Sequence, residues 1–211
     1  MKYKLTDQIY EYNGVKLRRI QASNSFGEIA EGELGGWVEG EKNLSQKGSC
    51  WIADRAVVYG QSSVTGNARV YDRAKVYDRA VISGDARVYG DSWVYGNAVV
   101  SGEAKVCGYS RVGGDSWVGE KAWLPGNALL RQDQKAVGIV PQLIGFGKFG
   151  ISLFENEVNV GCLTFSYDDF ENGKAQEFAK IHGYSDMEFQ YLRELFRFHK
   201  AFFNRQKQLG E

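Results

Sequence analysis

An aliphatic residue recurs every six positions through the middle of this 211-residue chain, and that period restricts the possible folds more than any other feature. The series runs without interruption from Ile52 to Leu130, and all fourteen members are Val, Ile or Leu. A small residue, most often Ala or Ser, lies two positions before each member. Gly or Asp usually lies two positions after it. Each unit therefore combines an apolar face with a turn.

Each six-residue unit predicts a short strand and a corner. Residues two apart in a strand point to the same side, so the small residue and the aliphatic residue face inward together. The Gly, Asp and Asn positions suit tight turns. Three units close a triangular coil of 18 residues, and equivalent residues of successive coils lie about 4.8 Å apart. The sequence therefore predicts a mainly β fold, a parallel β-helix with a narrow interior.

These repeats resemble the hexapeptide-repeat proteins from Ile52 to Leu130 and, less regularly, from Trp37. The resemblance implies a left-handed parallel β-helix, a hand opposite to the general preference of parallel crossovers. A closer likeness is to phage- and prophage-encoded hexapeptide proteins of the YdcK-like group. It is carried by Gly35-Gly36-Trp37-Val38, by the Val-Tyr-Gly-Asp/Asn phrases and by Val160-Gly161-Cys162. This likeness implies a phage or prophage source, and the hexapeptide resemblance implies self-association, commonly as trimers.

Three parts are predicted: an N-terminal hairpin cap over residues 1–36, the β-helix over 37–134 and a C-terminal α+β module over 135–211. Asn13-Gly14 separates two segments of alternating polarity, as is typical of a hairpin turn. In the last part, apolar segments between Val137 and Leu163 predict short strands, of which the last two form a hairpin.

Two helices are predicted after this hairpin. Ser166 and Ser185 each precede an acidic residue by three positions, which is the pattern of a helix N-cap. The first helix is expected to run to His182 and to stop at Gly183. The second presents one apolar stripe, which either packs in the core or contacts a partner. The stripe contains Leu192, Leu195, Phe196, His199, Phe202 and Phe203.

Charge and cysteine content restrict the partners and the compartment. Lys and Arg number 26 and Asp and Glu also number 26, so no overall field steers the chain to duplex nucleic acid or to a membrane. Cys50, Cys107 and Cys162 lie far apart and favour packing thiols in a reducing compartment. No apolar run approaches the about twenty residues of a membrane span. We expect a cytoplasmic protein, in the host cell if it is phage-encoded.

The 18-residue period sorts the outward residues onto three sides of the prism. The first side is basic and aromatic, and it is the predicted site for an anionic nucleotide or a host protein, because phosphate binds cations and bases stack on aromatic rings. The alternative is a solvated face that Asp72, Asp78 and Asp91 neutralise. The predicted binding residues are Arg69, Arg87, Lys105, Tyr71, Tyr89 and, at the neighbouring corner, Arg73.

The second side carries a predicted tyrosine ladder, and the third side is small and apolar. Apolar and aromatic rows in the open are usually covered, which predicts a homo-oligomer, a dimer or a trimer, or packing by the terminal parts. The predicted oligomer interface contains Tyr59, Tyr77, Tyr95 and Trp93 on the second side and Val81, Val99 and Trp117 on the third.

The repeat array contains no histidine, and the chain has only His182 and His199. Hexapeptide acyltransferases use a histidine base on or beside the coil, and the carbonic-anhydrase-like branch needs three histidines on zinc. Cys50 occupies an inward position, and Cys107 has only Lys105 beside it. We therefore predict no catalytic residue, no metal site and no cofactor.

The function that the sequence favours is that of a non-catalytic, self-associating phage or prophage binding protein. By analogy with small phage proteins, it would inhibit a bacterial defence system, either by blocking a host protein or by sequestering a nucleotide signal. The alternatives are a degenerate hexapeptide-type acyltransferase and a structural phage component.

Overall fold

The computed structural model describes residues 1–124, 126, 128–130, 134–136, 142–143, 151–153, 157–160, 163–181 and 185–209. They belong to two compact units, Met1–Ile139 and Val140–Glu211, which are described separately. In the described part of the chain, no helix is both long enough and apolar enough to cross a membrane.

The first unit begins with the predicted hairpin. Strands β1 (Tyr3–Tyr12) and β2 (Val15–Ala22) pair antiparallel. Asn13 and Gly14 both have positive φ, 50° and 76°, as this turn requires. Strand β3 (Leu34–Val38) pairs antiparallel with β2 and parallel with β5 (Val57–Val58), so the hairpin extends one sheet of the β-helix. A 3₁₀ turn, Glu41–Asn43, follows.

Two-residue strands then wind around the predicted prism. On the first side they are β4 (Trp51–Ile52), β7 (Arg69–Val70), β10 (Arg87–Val88), β13 (Lys105–Val106) and β16 (Trp123–Leu124). On the second they are β5 (Val57–Val58), β8 (Lys75–Val76), β11 (Trp93–Val94), β14 (Arg111–Val112) and β17 (Leu129–Leu130). On the third they are β6 (Ser63–Val64), β9 (Val81–Ile82), β12 (Val99–Val100), β15 (Trp117–Val118) and β18 (Lys135–Ala136).

Each side is a parallel sheet in which residues 18 apart pair directly. Arg87 lies between Arg69 and Lys105, and Val88 lies between Val70 and Val106. Among the described residues, the first and third sides have five strands each, and the second has eight because the hairpin and β3 extend it. The prediction of a mainly β, parallel β-helical fold is confirmed, and its left hand stays a prediction.

The interior of the coil is filled by the aliphatic and small residues of the repeat. Ala86 and Val88 are both fully buried, as are their equivalents in neighbouring coils. Serines at the small position are buried as well, and three of them, Ser62, Ser110 and Ser116, donate a hydrogen bond to the carbonyl three residues earlier. Ser62 Oγ donates to the Tyr59 carbonyl at 2.6 Å, and Ser110 Oγ donates to the Cys107 carbonyl at the same distance. At these three positions Ser replaces Ala without leaving an unpaired polar group, whereas the buried Ser92 Oγ has no hydrogen-bond partner among the described residues.

Aspartate replaces glycine at several corners because its carboxylate joins adjacent coils. Asp72 has a φ of 59°, in the left-handed region that Asp tolerates better than most residues. Its Oδ2 accepts a hydrogen bond from the backbone N–H of Gly90 at 2.9 Å. Asp54 and Asp78 accept equivalent bonds from the residues 18 positions later, at 3.1 and 3.0 Å. The corner acids thus strengthen the stack of coils.

The N-terminal residues close one end of the coil. Lys2 is 7% exposed, and its Nζ donates to the Cys50 carbonyl at 2.9 Å and to the Gly48 carbonyl at 3.4 Å. The Tyr3 hydroxyl donates to the Leu44 carbonyl at 2.7 Å. These bonds supply partners for carbonyl groups at the edge of the first coil.

The described residues of the second unit form a four-stranded antiparallel sheet and three helices. The strands are β19 (Gln142–Leu143), β20 (Ile151–Leu153), β21 (Glu157–Val160) and β22 (Leu163–Ser166). The helices are α1 (Tyr167–Glu171), α2 (Lys174–Ile181) and α3 (Asp186–Leu209). The predicted hairpin corresponds to β20 and β21, which pair antiparallel. Strand β22 was not expected as a separate element.

The prediction of one helix from Ser166 to His182 is wrong. The chain leaves the helix at Asn172, and Gly173 has a φ of 87°, so two short helices form in its place. The N-cap at Ser166 is confirmed, because its hydroxyl accepts a hydrogen bond from the Asp169 N–H at 3.2 Å. His182 and Gly183 lie outside the described residues, as does the predicted strand Val137–Val140.

Part of the apolar stripe on α3 lies in the core of the second unit. Leu192 and Phe196 are 4% and 1% exposed and pack with Phe170 and other residues of one apolar cluster. The Phe170 and Phe196 rings meet edge to face with centroids 4.3 Å apart. The structure does not describe the side chains of the remaining stripe residues, Leu195, His199, Phe202 and Phe203.

The corner at Gly102 allows a test of the coil geometry. Gly102 has a φ of 67°, and a Cβ at this position would lie 2.8 Å from both the N and O atoms of Glu120 in the next coil. We expect Gly102→Ala to lower the free energy of unfolding by at least about 1–2 kcal/mol, the cost of a left-handed alanine alone. Glu103→Ala changes an exposed neighbouring side chain and should shift it by less than about 0.5 kcal/mol. Equal effects in urea denaturation would contradict this geometry.

Candidate functional site

A cleft of about 630 Å³ lies on the first side of the prism, next to the N-terminal loop of residues 23–33. Glu28 and Ile29 of this loop form one wall. The strands of the first three coils form the base, and polar corner residues form the two flanks. The other lining residues are Ser49, Trp51, Ala53, Asp54, Asn67, Arg69, Val70, Tyr71, Asp85 and Arg87. This is the face on which the sequence placed the binding residues.

The N-terminal loop covers the end of the first side. Trp51 occupies an outward position, yet it is 1% exposed. The Phe26 ring meets it edge to face at 5.5 Å, and the Tyr3 ring does so at 6.5 Å. Gly35 packs so closely on the indole that an added Cβ would lie 2.6 Å from it. The loop therefore converts an open face into a cleft.

Three basic side chains form one row on the first side of the prism. Arg69, Arg87 and Lys105 pair in register on adjacent strands, so their like charges lie side by side, which is unfavourable without a counterion. Arg69 has one long ion pair, 4.0 Å from the carboxylate of Glu28. Among the described residues, Arg87 and Lys105 have no ion pair, and both side chains are exposed.

The acids that the solvated-face alternative invoked are engaged elsewhere. Asp91 pairs with Arg73 at 2.8 Å. Asp72 and Asp78 accept backbone hydrogen bonds at the corners. None of the three forms an ion pair with the first-side cations in the described part of the chain.

Tyr71 and Tyr89 stack beside this row of cations. Their ring centroids are 4.9 Å apart, and the planes differ by 2°. Burial raises the pKa of the Tyr71 phenol above its usual value, and the nearby Arg87 partly opposes that rise. Burial also raises the pKa of Tyr89, and Cys107 adds to the effect. Both phenols are therefore neutral hydrogen-bond donors near pH 7.

Cys107 closes one end of this tyrosine pair. It occupies the next outward position after Tyr89 in the 18-residue series, but only 8% of it is exposed. Its Sγ accepts a hydrogen bond from the Trp123 Nε1 at 3.4 Å. Cys50, as expected, is fully buried, and its Sγ lies 3.2 Å from the Lys2 Nζ. Both Cys50 and Cys107 therefore have a packing role.

The predicted binding residues divide between two places. Arg69, Arg87 and Tyr71 line the cleft; Tyr89 stacks on Tyr71, and Lys105 follows Arg87 in register. Arg73 lies outside the cleft. It borders a separate depression of about 360 Å³ at the corner between the first and second sides, together with Lys75, Asp91, Trp93, Tyr109 and Arg111.

Sequence reasoning missed the walls of the cleft. Glu28, Ile29, Asn67 and Asp85 were not singled out, because the loop reaches the first side only through tertiary contacts. The corner residues carried a signal: Ser49, Asn67 and Asp85 are 18 apart. In the structure Ser49 Oγ donates to Asn67 Oδ1 at 2.9 Å, and Asn67 Nδ2 donates to Asp85 Oδ1 at 3.1 Å.

On the second side, Tyr59, Tyr77 and Tyr95 form a continuous stack. Adjacent centroids are 5.3 and 5.4 Å apart, with planes within 10°. Tyr12 of the hairpin meets the first ring edge to face at 6.0 Å. Trp93 lies between two cations, with the Lys75 Nζ 4.5 Å and the Arg111 Cζ 5.0 Å from its ring. The role of this side as an oligomer interface stays a prediction.

On the third side, Val81, Val99 and Trp117 pair in register and are partly exposed. The Trp117 indole lies over Gly119, whose missing side chain makes room for the ring. The predicted use of this row in an oligomer also stays a prediction.

The described residues contain no group of three or more His, Cys, Asp or Glu side chains placed to bind a metal ion. His182 lies outside the described residues, and the side chain of His199 is not described. Both belong to the second unit, so the β-helix itself holds no imidazole.

Comparison with known proteins gives one partial similarity. A 75-residue segment is 36% identical to the "Uncharacterized acetyltransferase YdcK" of Escherichia coli strain K12. The match covers 31% of this chain and 23% of that protein, so less than a quarter of the relative is represented. No protein-family model matches the chain. The likeness to YdcK agrees with the sequence prediction, and the phage or prophage source stays a prediction.

The tyrosine stack on the second side predicts alkaline destabilisation. Burial, followed by the neighbouring Tyr59 and Tyr95, raises the pKa of Tyr77 from 10.0 to about 12. The fold thus favours the neutral phenol: this stability is fully present below pH 10 and is lost as the pH rises through about 12. We expect Tyr77→Phe to reduce the fall in Tm over that range. Tyr109→Phe, at an exposed side chain, should follow the wild type, and identical Tm profiles for all three proteins would refute the prediction.

Proposed function

We propose that this protein is a non-catalytic β-helical binding protein that holds a small organic anion in the cleft on its first side. The observation that carries the proposal is the placement of Arg87. Its guanidinium lines the cleft, is exposed and stands between two further cations, and it has no ion pair among the described residues. An anionic group at this position would relieve the like-charge contact and form charge-assisted hydrogen bonds.

The charges around the cleft favour a ligand with one anionic group. The lining contains two guanidinium groups and the carboxylates of Glu28, Asp54 and Asp85. These carboxylates have partners of their own. Asp54 accepts the Asp72 N–H, Asp85 accepts the Asn67 amide, and Glu28 faces Arg69. A polyphosphate or a duplex nucleic acid would meet more repulsion from these acids than a single phosphate or carboxylate group beside Arg87 would.

In this proposal the protein acts by withholding its ligand. Sequestration of a nucleotide signal from a bacterial defence system is the version that a small-molecule cleft favours. Blocking a host protein is the other version, and it would use the open rows of the prism as a contact surface. A phage or prophage source is part of both versions and rests on the likeness stated from the sequence.

An acetyltransferase of hexapeptide type is the second candidate. It is favoured by the name of the relative that is 36% identical over 75 residues. The lack of histidine in the β-helix argues against it, because acyl transfer to a hydroxyl or amine needs a base close to the acceptor.

Self-association through the third side completes the proposal. Its outward row begins with the uncharged residues Ser63, Val81, Val99 and Trp117 before Lys135 continues it, so two such faces that meet over these four residues bury no unpaired ion. A dimer or a trimer would leave the first side of each copy open.

The binding proposal is tested by calorimetry with adenosine 5′-monophosphate and ribose 5-phosphate as probes. We expect both to bind and Arg87→Gln to weaken each about tenfold or more, because a hydrogen bond to a charged group is removed. Arg79→Gln removes an exposed charge at a different corner and should bind as the wild type does. The absence of heat with both probes would rule out the proposal.

The enzyme alternative is tested with acetyl-coenzyme A and a panel of amine and hydroxyl acceptors. We expect release of free coenzyme A to stay at the rate seen without protein. Acceptor-dependent release that requires this protein would establish the acetyltransferase in its place.

The oligomer is tested by sedimentation velocity. We expect the wild type to be a dimer or a trimer and Val99→Lys to sediment as a monomer, because a lysine would bury its charge in the contact. Arg79→Gln serves again as the matched control. A wild-type monomer at micromolar concentration would contradict this part of the proposal.

A further inference from the structure

We propose that the ligand of the cleft carries a planar aromatic ring. This ring lies over Ala53, one coil before Tyr71, and stacks on the Tyr71 ring. This inference rests on the proposed function and specifies the ligand class: an aromatic or heteroaromatic ring joined by a short linker to one phosphate or carboxylate. A nucleoside monophosphate has this chemistry.

The first-side tyrosine ladder has an open end at Ala53. Ala53, Tyr71 and Tyr89 are 18 residues apart and occupy the same outward position of successive coils. The two rings stack at 4.9 Å, nearly parallel. A third ring would continue the stack one coil spacing, about 4.8 Å, beyond Tyr71. The chain supplies only a methyl group there, and both Ala53 and Tyr71 line the cleft.

The tyrosine stack on the second side, by contrast, is covered at both of its ends. Its first ring, Tyr59, is covered by Tyr12 of the hairpin. Its last ring, Tyr95, lies over Gly113, where an added Cβ would be 2.4 Å from the ring. On the first side, Cys107 closes the far end. Of the four ladder ends in the described residues, the one at Ala53 is therefore the end that faces a cavity.

The surroundings of this open level suit a ring with an attached anion. Ile29 and Trp51 are buried apolar walls of the same cleft, 7% and 1% exposed. Arg69 lies two positions before Tyr71 on the same strand face, about 7 Å away along the backbone. Arg87 is one coil further. The coil of Ala53 is one coil from Arg69 and two coils, about 10 Å, from Arg87, a span that a ring, a short linker and an arginine side chain together can cover.

The test places a tyrosine of the protein at the position that the ligand ring is proposed to occupy. In Ala53→Tyr the new phenol takes the place of the ligand ring. We expect adenosine 5′-monophosphate to bind at least about tenfold more weakly, which is the range of one base–aromatic stack. Arg79→Gln, at an exposed residue outside the cleft, is the control and should bind as the wild type does. Thermal denaturation of Ala53→Tyr should give a Tm no lower than that of the wild type, because the added ring extends an existing stack.

A second variant separates stacking from simple blockage. Tyr71→Leu leaves the space open and removes the aromatic face. We expect it to weaken adenosine 5′-monophosphate and phenyl phosphate about tenfold and to leave ribose 5-phosphate within about threefold, because ribose 5-phosphate has no ring to stack. In the wild type, both aromatic probes should bind more tightly than ribose 5-phosphate.

The outcomes distinguish this inference from the proposed function. Equal wild-type affinity for ribose 5-phosphate and the two aromatic probes overturns the ring site and leaves the anion site standing. Unchanged binding of adenosine 5′-monophosphate to Tyr71→Leu or to Ala53→Tyr does the same. Failure of all three probes to bind the wild type overturns both proposals.

Discussion

The parallel backbone hydrogen bonds between successive coils determine almost everything else in the first unit. The Tyr71 N–H donates to the Val88 carbonyl at 3.0 Å, and the Arg87 N–H donates to the Ala104 carbonyl at 2.8 Å. Because each bond joins residues 17 positions apart, residues 18 apart are forced into line. The inner residues must then fit one narrow repeated cross-section, and the outer residues must stack on their own equivalents. Rows of like charge and stacks of aromatic rings are the direct result.

This constraint explains why so much of the first unit could be predicted from the sequence. The period of six and the Asn13-Gly14 turn are local signals, and they determine the coil, the three sides and the hairpin. They also place Arg69, Arg87 and Lys105 in one row before any contact is known. The cleft is different, because it exists only where loop residues Glu28 and Ile29 lie against a face that comes more than twenty positions later in the chain. The six-residue period does not predict such a contact.

The second unit was harder to predict for a related reason. Its helical pattern between Ser166 and His182 is compatible with one helix, but Gly173 adopts a left-handed conformation and divides it. The separate helices α1 and α2 let Phe170 and Ala175 face the same apolar cluster. Tertiary packing thus decides between alternatives of similar local propensity. The stripe on α3 is more regular, and its members Leu192 and Phe196 lie in the core, which is one of the two alternatives that the sequence left open.

Buried Lys2 has a consequence for how the β-helix ends. A solenoid whose first coil exposed its row of carbonyl groups would be a template for another strand, and identical molecules could add end to end into fibres. Here the ammonium group lies within 3.5 Å of the carbonyls of Lys47, Gly48 and Cys50. An incoming strand would have to displace a buried cation and leave its charge unpaired. Lys2 therefore opposes the addition of a strand at this corner of the first coil.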